Sequence, residues 1–214
     1  MERQTKGMKK ELAIRKLLDG NARFAANKSI HPHMDIETRF RTIETQNPFA
    51  LVISCFDSRV SPEIIFDQGI GDLFVLRSPG NTLNEDIIGA TEYAVKAFNI
   101  PLIIVLGHEN CAAVEAALNN IKTFTGIDKT TESIRNNIEY IDPYSLNALD
   151  NATKKNVKTV CNQLITSSTI LFNAVKHKKL EITGMYYHLK NGNAEIISDS
   201  SWADSCKNLS CILL

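Results

Sequence analysis

Two stretches limit the fold of this chain more than any others: residues 49–55 (FALVISC) and 102–107 (LIIVLG). Both are continuous apolar runs, without the alternation of a strand that keeps one face in water. Runs of this kind are central parallel strands, covered on both faces. Parallel neighbours need a crossover between them, and the sequence supplies a helical one. Over residues 84–98, Ile87, Ile88, Ala90, Tyr93, Ala94 and Ala97 recur at helical spacings, and Pro101 follows where a helix has already had to stop.

The rest of the chain fits around that unit. Leu12, Leu17, Leu18 and Phe24 predict an amphipathic helix over 9–27, weakened in its middle by Gly20-Asn21. A second, polar helix is expected over 36–45. Further strands are expected at 72–77, 181–188 and 194–198. Residues 111–120 read as a helix, and 145–177 as one long helix or two. Asn191-Gly192 marks a closing hairpin. The fold class is therefore α/β, with four parallel strands and an antiparallel edge strand flanked by helices. One domain is expected over residues 1–214, with an N-terminal helical arm at 1–46 and a C-terminal tail at 205–214.

Composition serves mainly to exclude. The 24 Lys and Arg residues balance 24 Asp and Glu residues, so no bulk charge draws the chain to nucleic acid or an anionic membrane. The first residues, MERQTKGMKKELAIRK, hold no apolar segment of signal-peptide length, and no stretch approaches the roughly 18 apolar residues of a membrane span. Five cysteines is an odd number, which without a secretion signal points to reduced thiols or metal ligands in a cytoplasmic protein.

Chemistry gathers where the two buried runs end. The first closes on Cys55, followed at alternate positions by Asp57 and Arg59; the second leads into His108 and Cys111. In open α/β sheets, ligands bind beyond the carboxyl ends of the strands. If the two strands are neighbours, two thiolates and an imidazole converge there. Cys₂His with a fourth position open is the pattern of catalytic zinc. Asp57 and Arg59 can pair, the guanidinium keeping the carboxylate ionised beside the metal. The plain alternatives are buried thiols beside a strand-end histidine, and an ion pair that only fixes a loop.

At these residues the chain resembles the β-class carbonic anhydrases, whose pattern is Cys-x-Asp-x-Arg followed by His-x-x-Cys. Here these are Cys55-Phe56-Asp57-Ser58-Arg59 and His108-Glu109-Asn110-Cys111, and LLDGNARF, QNPFALVISCFDSRVSPEIIFDQGIGDLFVLR, ATEYAV and PLIIVLGHENCAAVEAAL are similar in order. The resemblance covers roughly residues 10–120 and resumes weakly at 180–198. It implies one Zn²⁺ per chain, held by Cys55, His108 and Cys111, and reversible hydration of CO₂ to bicarbonate and a proton by zinc-bound hydroxide. Asp57 and Arg59 would be the catalytic dyad. Gln46 would reach substrate from a neighbouring subunit, and Phe74 and Tyr93 would line the apolar pocket. A homodimer is implied, in some members paired into a tetramer, with N-terminal helices packed on the partner.

Some positions depart from the family. Ala112 stands where a glycine is usual, keeping the N–H near a bound anion but adding a methyl group. Ser78-Pro79 and Tyr187-His188-Leu189 replace the usual residues. In one subgroup Asp57 would itself become the fourth metal ligand, in a closed form stabilised by bicarbonate against a tryptophan. Val52 occupies that tryptophan's position, so Arg59 is expected to hold Asp57 off the zinc. Alternative functions are hydrolysis of carbonyl sulfide or carbon disulfide at the same site, and a non-catalytic zinc-stabilised interaction protein. Cys161 lies among apolar helix positions and reads as core. The final CILL fits a prenylation pattern at Cys211, with Cys206 as a second acyl site; only that would bring membrane contact, and the alternative is an apolar tail docked on the dimer.

Overall fold

The computed structural model describes residues 8–122 and 124–200. Cys206, Cys211 and the CILL motif lie outside the described residues. Five strands form one sheet: β1 (Ala50–Cys55), β2 (Leu73–Ser78), β3 (Leu102–His108), β4 (Glu181–Tyr187) and β5 (Ala194–Ser198), in the order β2-β1-β3-β4-β5. The first four are parallel, and β5 pairs antiparallel with β4. Every residue of β1 and β3 is buried, as the continuous apolar runs predict.

Alternate residues of those strands face two separate layers. Leu51, Ile53, Ile103 and Val105 pack with Ile87 and Ala94 of α4 (Glu85–Phe98), Val157, Val160 and Leu164 of α7 (Ala148–Ser167), and Leu171 of α8 (Thr169–Lys176). Ala50, Val52, Ile104 and Leu106 pack with Ala13 and Leu17 of α1 (Lys10–Ala25) and with Ile65 of the short α3 (Pro62–Ile65). The expected helix over 145–177 is two helices. They divide at Ser168, whose extended backbone leaves the helix and whose Oγ accepts from the Leu171 N–H to cap α8.

Gly20-Asn21 does the opposite of what local propensity suggests. A Cβ at Gly20 would stand 1.8 Å from the Phe66 carbonyl oxygen, so only glycine lets α1 approach α3 this closely. Asn21 is buried and donates to the carbonyls of Ile65 and Gly192, while its Oδ1 accepts from the Ala194 N–H. The helix middle is thus a clamp that joins α1, α3 and the β4–β5 hairpin.

Within the N-terminal arm, Ala13 and Leu17 of α1 cover the chain's own sheet. Leu12 of α1 is left exposed, as are Ile30, Met34, then Ile36 and Phe40 of α2 (Ile36–Arg41), and Ile43. The expected polar helix over 36–45 ends at Arg41, where the Thr42 hydroxyl donates to the Thr38 carbonyl. Between α5 (Ala112–Leu118) and α7 lies α6 (Thr125–Asn137), which the sequence pattern does not announce. Among the described residues, no helix is long and apolar enough to cross a membrane.

Candidate metal centre

The strand order places this site. The chain passes from β1 to β2 on one side and then returns to lay β3 on the other side of β1. The crevice at such a reversal opens at the carboxyl ends of the two central strands. Cys55 ends β1, His108 ends β3, and Cys111 is the N-cap of α5. All three are buried, and their ligand atoms lie within 4.8 Å of one another.

Whether these donors fit a metal can be tested on their geometry. Two thiolates on one tetrahedral zinc, each bonded at about 2.3 Å, stand about 3.8 Å apart. The Sγ atoms of Cys55 and Cys111 are 3.8 Å apart. His108 Nδ1 lies 2.8 Å from the Glu109 carbonyl, which can only accept, so Nδ1 carries the proton. Its Nε2 lone pair is then free, and this buried atom has no protein partner. A nitrogen held in this way is what a ligating histidine requires.

Electrostatics agree with the geometry. Contact with the Cys111 thiol, against the opposing effect of burial, holds Cys55 below the usual thiol range. The same contact, together with burial, pushes Cys111 up. Contact between the two thiols thus favours one thiolate shared within the pair. Backbone N–H groups favour both thiolates: Gly80 donates to Cys55 Sγ at 3.3 Å, and those of Ala113 and Val114 favour Cys111.

Asp57 and Arg59 stand at the rim of this cluster. Arg59 Nε and its backbone N–H both donate to Asp57 Oδ1 at 2.9 Å, and Nη2 donates to Oδ2 at 2.7 Å. The Arg59 guanidinium holds the Asp57 carboxyl down at about 2, well below the usual carboxylate range. Arg59 also reaches the Asn110 carbonyl at 3.3 Å, tying the pair to the loop that carries His108 and Cys111.

Arg77, near the end of β2, is a positioning residue that motif reading missed. It donates from Nε to the Cys55 carbonyl at 3.0 Å and from Nη2 to the Asp57 carbonyl at 2.6 Å, fixing the turn between ligand and carboxylate. Its signal was a charge closing an apolar strand, as at Cys55 itself. Behind it, Asn156 Nδ2 holds the Gly80 carbonyl, Asn137 donates to Asn156, and Gln163 donates to Asn137.

Not every expected residue joins the centre within one chain. Ala112 does, as the exposed first residue of α5. Gln46 precedes β1 and so lies beyond the opposite end of the strand from Cys55, a strand that itself spans about 17 Å. It is exposed, in a groove of about 360 Å³ with Thr42, Ile43 and Ile70. Phe74 pairs with Leu51, also toward the far end, and stacks edge-on against Phe98 at 5.0 Å. Tyr93 also packs edge-on against Phe98, at 5.8 Å, and is exposed.

Comparison with known proteins points one way. A family model described as "Carbonic anhydrase" matches residues 50–194. A carbonic anhydrase of Mycolicibacterium smegmatis is 36% identical over 193 residues, covering 87% of this chain and 92% of that protein. Carbonic anhydrase 2 of Mycobacterium tuberculosis is 36% identical over 191 residues, covering 85% of this chain and 90% of its own length. Among solved structures, the Coccomyxa β-carbonic anhydrase in complex with acetazolamide superposes with a TM-score of 0.67 at 26% identity, covering 86% of each chain. One of two tetrameric β-carbonic anhydrases of Sordaria macrospora gives 0.72 at 20% identity over 89% of this chain and all of that one, a likeness of fold.

Proposed function

This chain belongs to the β-class carbonic anhydrase family, and from that premise we propose that it catalyses the reversible hydration of CO₂ to bicarbonate and a proton. The observation that carries the proposal is the buried Cys55, His108, Cys111 cluster with the Asp57–Arg59 pair at its rim. Cys55, His108 and Cys111 would hold zinc. Zinc on this set supplies the acidity that lets water act as a nucleophile near neutral pH.

The remaining work falls to side chains. Asp57, kept ionised by Arg59, can only accept, so it takes a hydrogen bond from the nucleophile's O–H and turns a lone pair toward carbon. Arg59 is fixed in turn by the Asn110 carbonyl. The Arg77 clamp keeps Asp57 at a constant offset from Cys55. The Ala112 N–H, one residue after Cys111, would be the donor to the product anion.

We further propose that the working unit is at least a homodimer. Within one chain Gln46 lies away from Cys55, so it can serve only a second subunit's centre; Phe74 and Tyr93 lie on the same far side. Met34, Phe40 and Ile43 are each about two-thirds exposed or more, an apolar patch that suits a contact between copies. A cytoplasmic setting accords with the absence of a disulfide among the described residues, where Cys55, Cys111 and Cys161 are unpaired with one another.

Stopped-flow CO₂ hydration on protein loaded with one zinc per chain tests the reaction. A rate well above buffer is expected. Hydrolysis of carbonyl sulfide without CO₂ hydration would replace the substrate assignment, and activity toward neither would leave a zinc-stabilised binding protein.

A further inference from the structure

Asn156 is wholly buried in α7, on a stretch of helix that also buries Ala152, Val157 and Val160. A carboxamide in such a place opposes folding unless both its ends are bonded. Both are: Nδ2 donates to the Gly80 carbonyl at 2.9 Å, and Oδ1 accepts from Asn137 Nδ2 at 2.8 Å. Asn137, buried at the end of α6, accepts in turn from Gln163 Nε2 at 2.8 Å. A carbonyl can only accept, so Asn156 must turn its NH₂ group to Gly80, and that choice orients the other two amides. All three point one way, from Gln163, half-buried in a shallow surface groove, inward to Gly80. Hydrogen bonds aligned in this way strengthen one another.

Gly80 is where this relay meets the metal centre. Its carbonyl is held by Asn156, and its N–H donates to Cys55 Sγ at 3.3 Å. At Cys111 the supporting N–H groups, those of Ala113 and Val114, come with the first turn of α5. The Gly80 N–H at Cys55 comes instead from the turn after β2, at a glycine with φ +64°. Glycine has no side chain to hold it in one conformation. The turn is closed around it, since Ser78 Oγ donates to the Thr82 carbonyl at 2.7 Å and Thr82 Oγ1 to the Pro79 carbonyl at 3.2 Å. Those bonds leave both polar groups of Gly80 to partners outside the turn. Ile134 of α6 covers the residue closely, for a Cβ there would stand 2.6 Å from Ile134 Cδ1.

Resting on the metal centre of the proposed function, we propose that Asn156 is a positioning residue for the ligand Cys55: by fixing the Gly80 carbonyl it keeps the Gly80 N–H on Sγ. A hydrogen bond to a ligating sulfur orients it and draws charge from it, and so tunes the metal it binds. Asn156 acts through Gly80, and Asn137 and Gln163 act through Asn156.

The test uses the whole chain with cobalt(II) in place of zinc, because sulfur-to-cobalt charge-transfer bands report on the ligating thiolates. Asn156→Ala should move these bands to lower energy, since Cys55 Sγ regains the charge that the N–H drew off. It should also weaken zinc binding about tenfold in competition with a chelator. Asn156 satisfies a buried carbonyl, so this variant loses stability on any reading. Val160→Ala, a truncation on the same helix within the core, supplies a loss of stability without touching the relay, and should keep the bands and zinc affinity of wild type. Where Asn156→Ala does not fold, Asn137→Ala removes the donor that orients Asn156 and should shift the bands in the same direction by less. Unmoved bands in the folded variant overturn the inference. So does an equal shift in Val160→Ala, because the effect then belongs to stability and not to Gly80. So does a wild type without thiolate bands, which removes the metal centre as well. Stopped-flow hydration by the wild-type zinc protein separates the two readings: hydration with unmoved bands removes only the role of Asn156, whereas shifted bands in a protein that does not hydrate CO₂ support that role and remove the reaction.

Discussion

Arg59 closes on both carboxylate oxygens of Asp57, Nε to Oδ1 at 2.9 Å and Nη2 to Oδ2 at 2.7 Å, and adds its own backbone N–H to Oδ1. A side-on grip of this kind leaves the carboxylate little freedom to rotate toward a metal. Asp57→Ala should therefore keep one zinc per chain and lose activity by about 10²-fold or more, the loss typical of a positioned acid–base group. Arg59→Lys should fall between, since a point charge cannot make both bonds. Metal content with stopped-flow rates checks this; full activity in Asp57→Ala would remove the assigned role.

A charge placed in the exposed apolar patch should separate subunits and silence them together. Ile43 is 72% exposed and lines the groove that holds Gln46; Phe40 is 68% exposed. Phe40→Glu and Ile43→Glu remove little from the fold of a single chain, because neither side chain is buried in it. Light scattering should show monomer, with hydration reduced at unchanged zinc content. A fully active monomer would show that Gln46, Phe74 and Tyr93 serve no second subunit.

What could be read in advance was set by strong local patterns. β1 and β3 announced themselves because strands buried on both faces cannot hide their composition. Cys55, His108 and Cys111 followed, since strand ends meet wherever central strands are neighbours. Other features depend on distant partners. α6 reads TGIDKTTESIRNN and buries mainly Ile134 at the core, with Thr131 and Asn137, too few apolar residues to set a period. Arg77 looks like any strand-end cation until the carbonyls of Cys55 and Asp57 are seen in its reach.

Gly20 is the sharpest case, because propensity gives the wrong sign. In an exposed helix interior, Gly→Ala gains about 1 kcal/mol. Here the methyl group would sit 1.8 Å from the Phe66 carbonyl oxygen and 2.9 Å from Gln68 Nε2. Backbone cannot yield as a side-chain end can, so α1 must lift from α3. Gly20→Ala should lower stability by about 1–3 kcal/mol, the usual cost of overpacking. Chemical denaturation at neutral pH measures it, and a stabilised variant would mean that the two helices are not in this contact.

Asp67 supplies the pH dependence. Its side chain is fully buried and accepts from Arg23 Nε at 2.6 Å and from the N–H groups of Ile30 and His31 at 3.1 and 2.9 Å. Burial alone would raise its pKa, but Arg23 and the two N–H groups outweigh it and hold the carboxyl below its usual value. A group depressed on folding stabilises fully above its unfolded pKa, about 3.9, and that contribution is lost as pH falls through the folded value. Asp67→Asn should cost about 2–3 kcal/mol at pH 7; this is below the usual loss for a broken buried pair because Arg23, 32% exposed, can turn to water. Acid also strips metal from thiolates, so the informative quantity is the difference between wild type and variant. That difference should be constant from pH 7 to about 5 and shrink below about 4. A difference that persisted unchanged to pH 2 would mean that the Asp67 charge contributes nothing and that only the shape of its side chain matters.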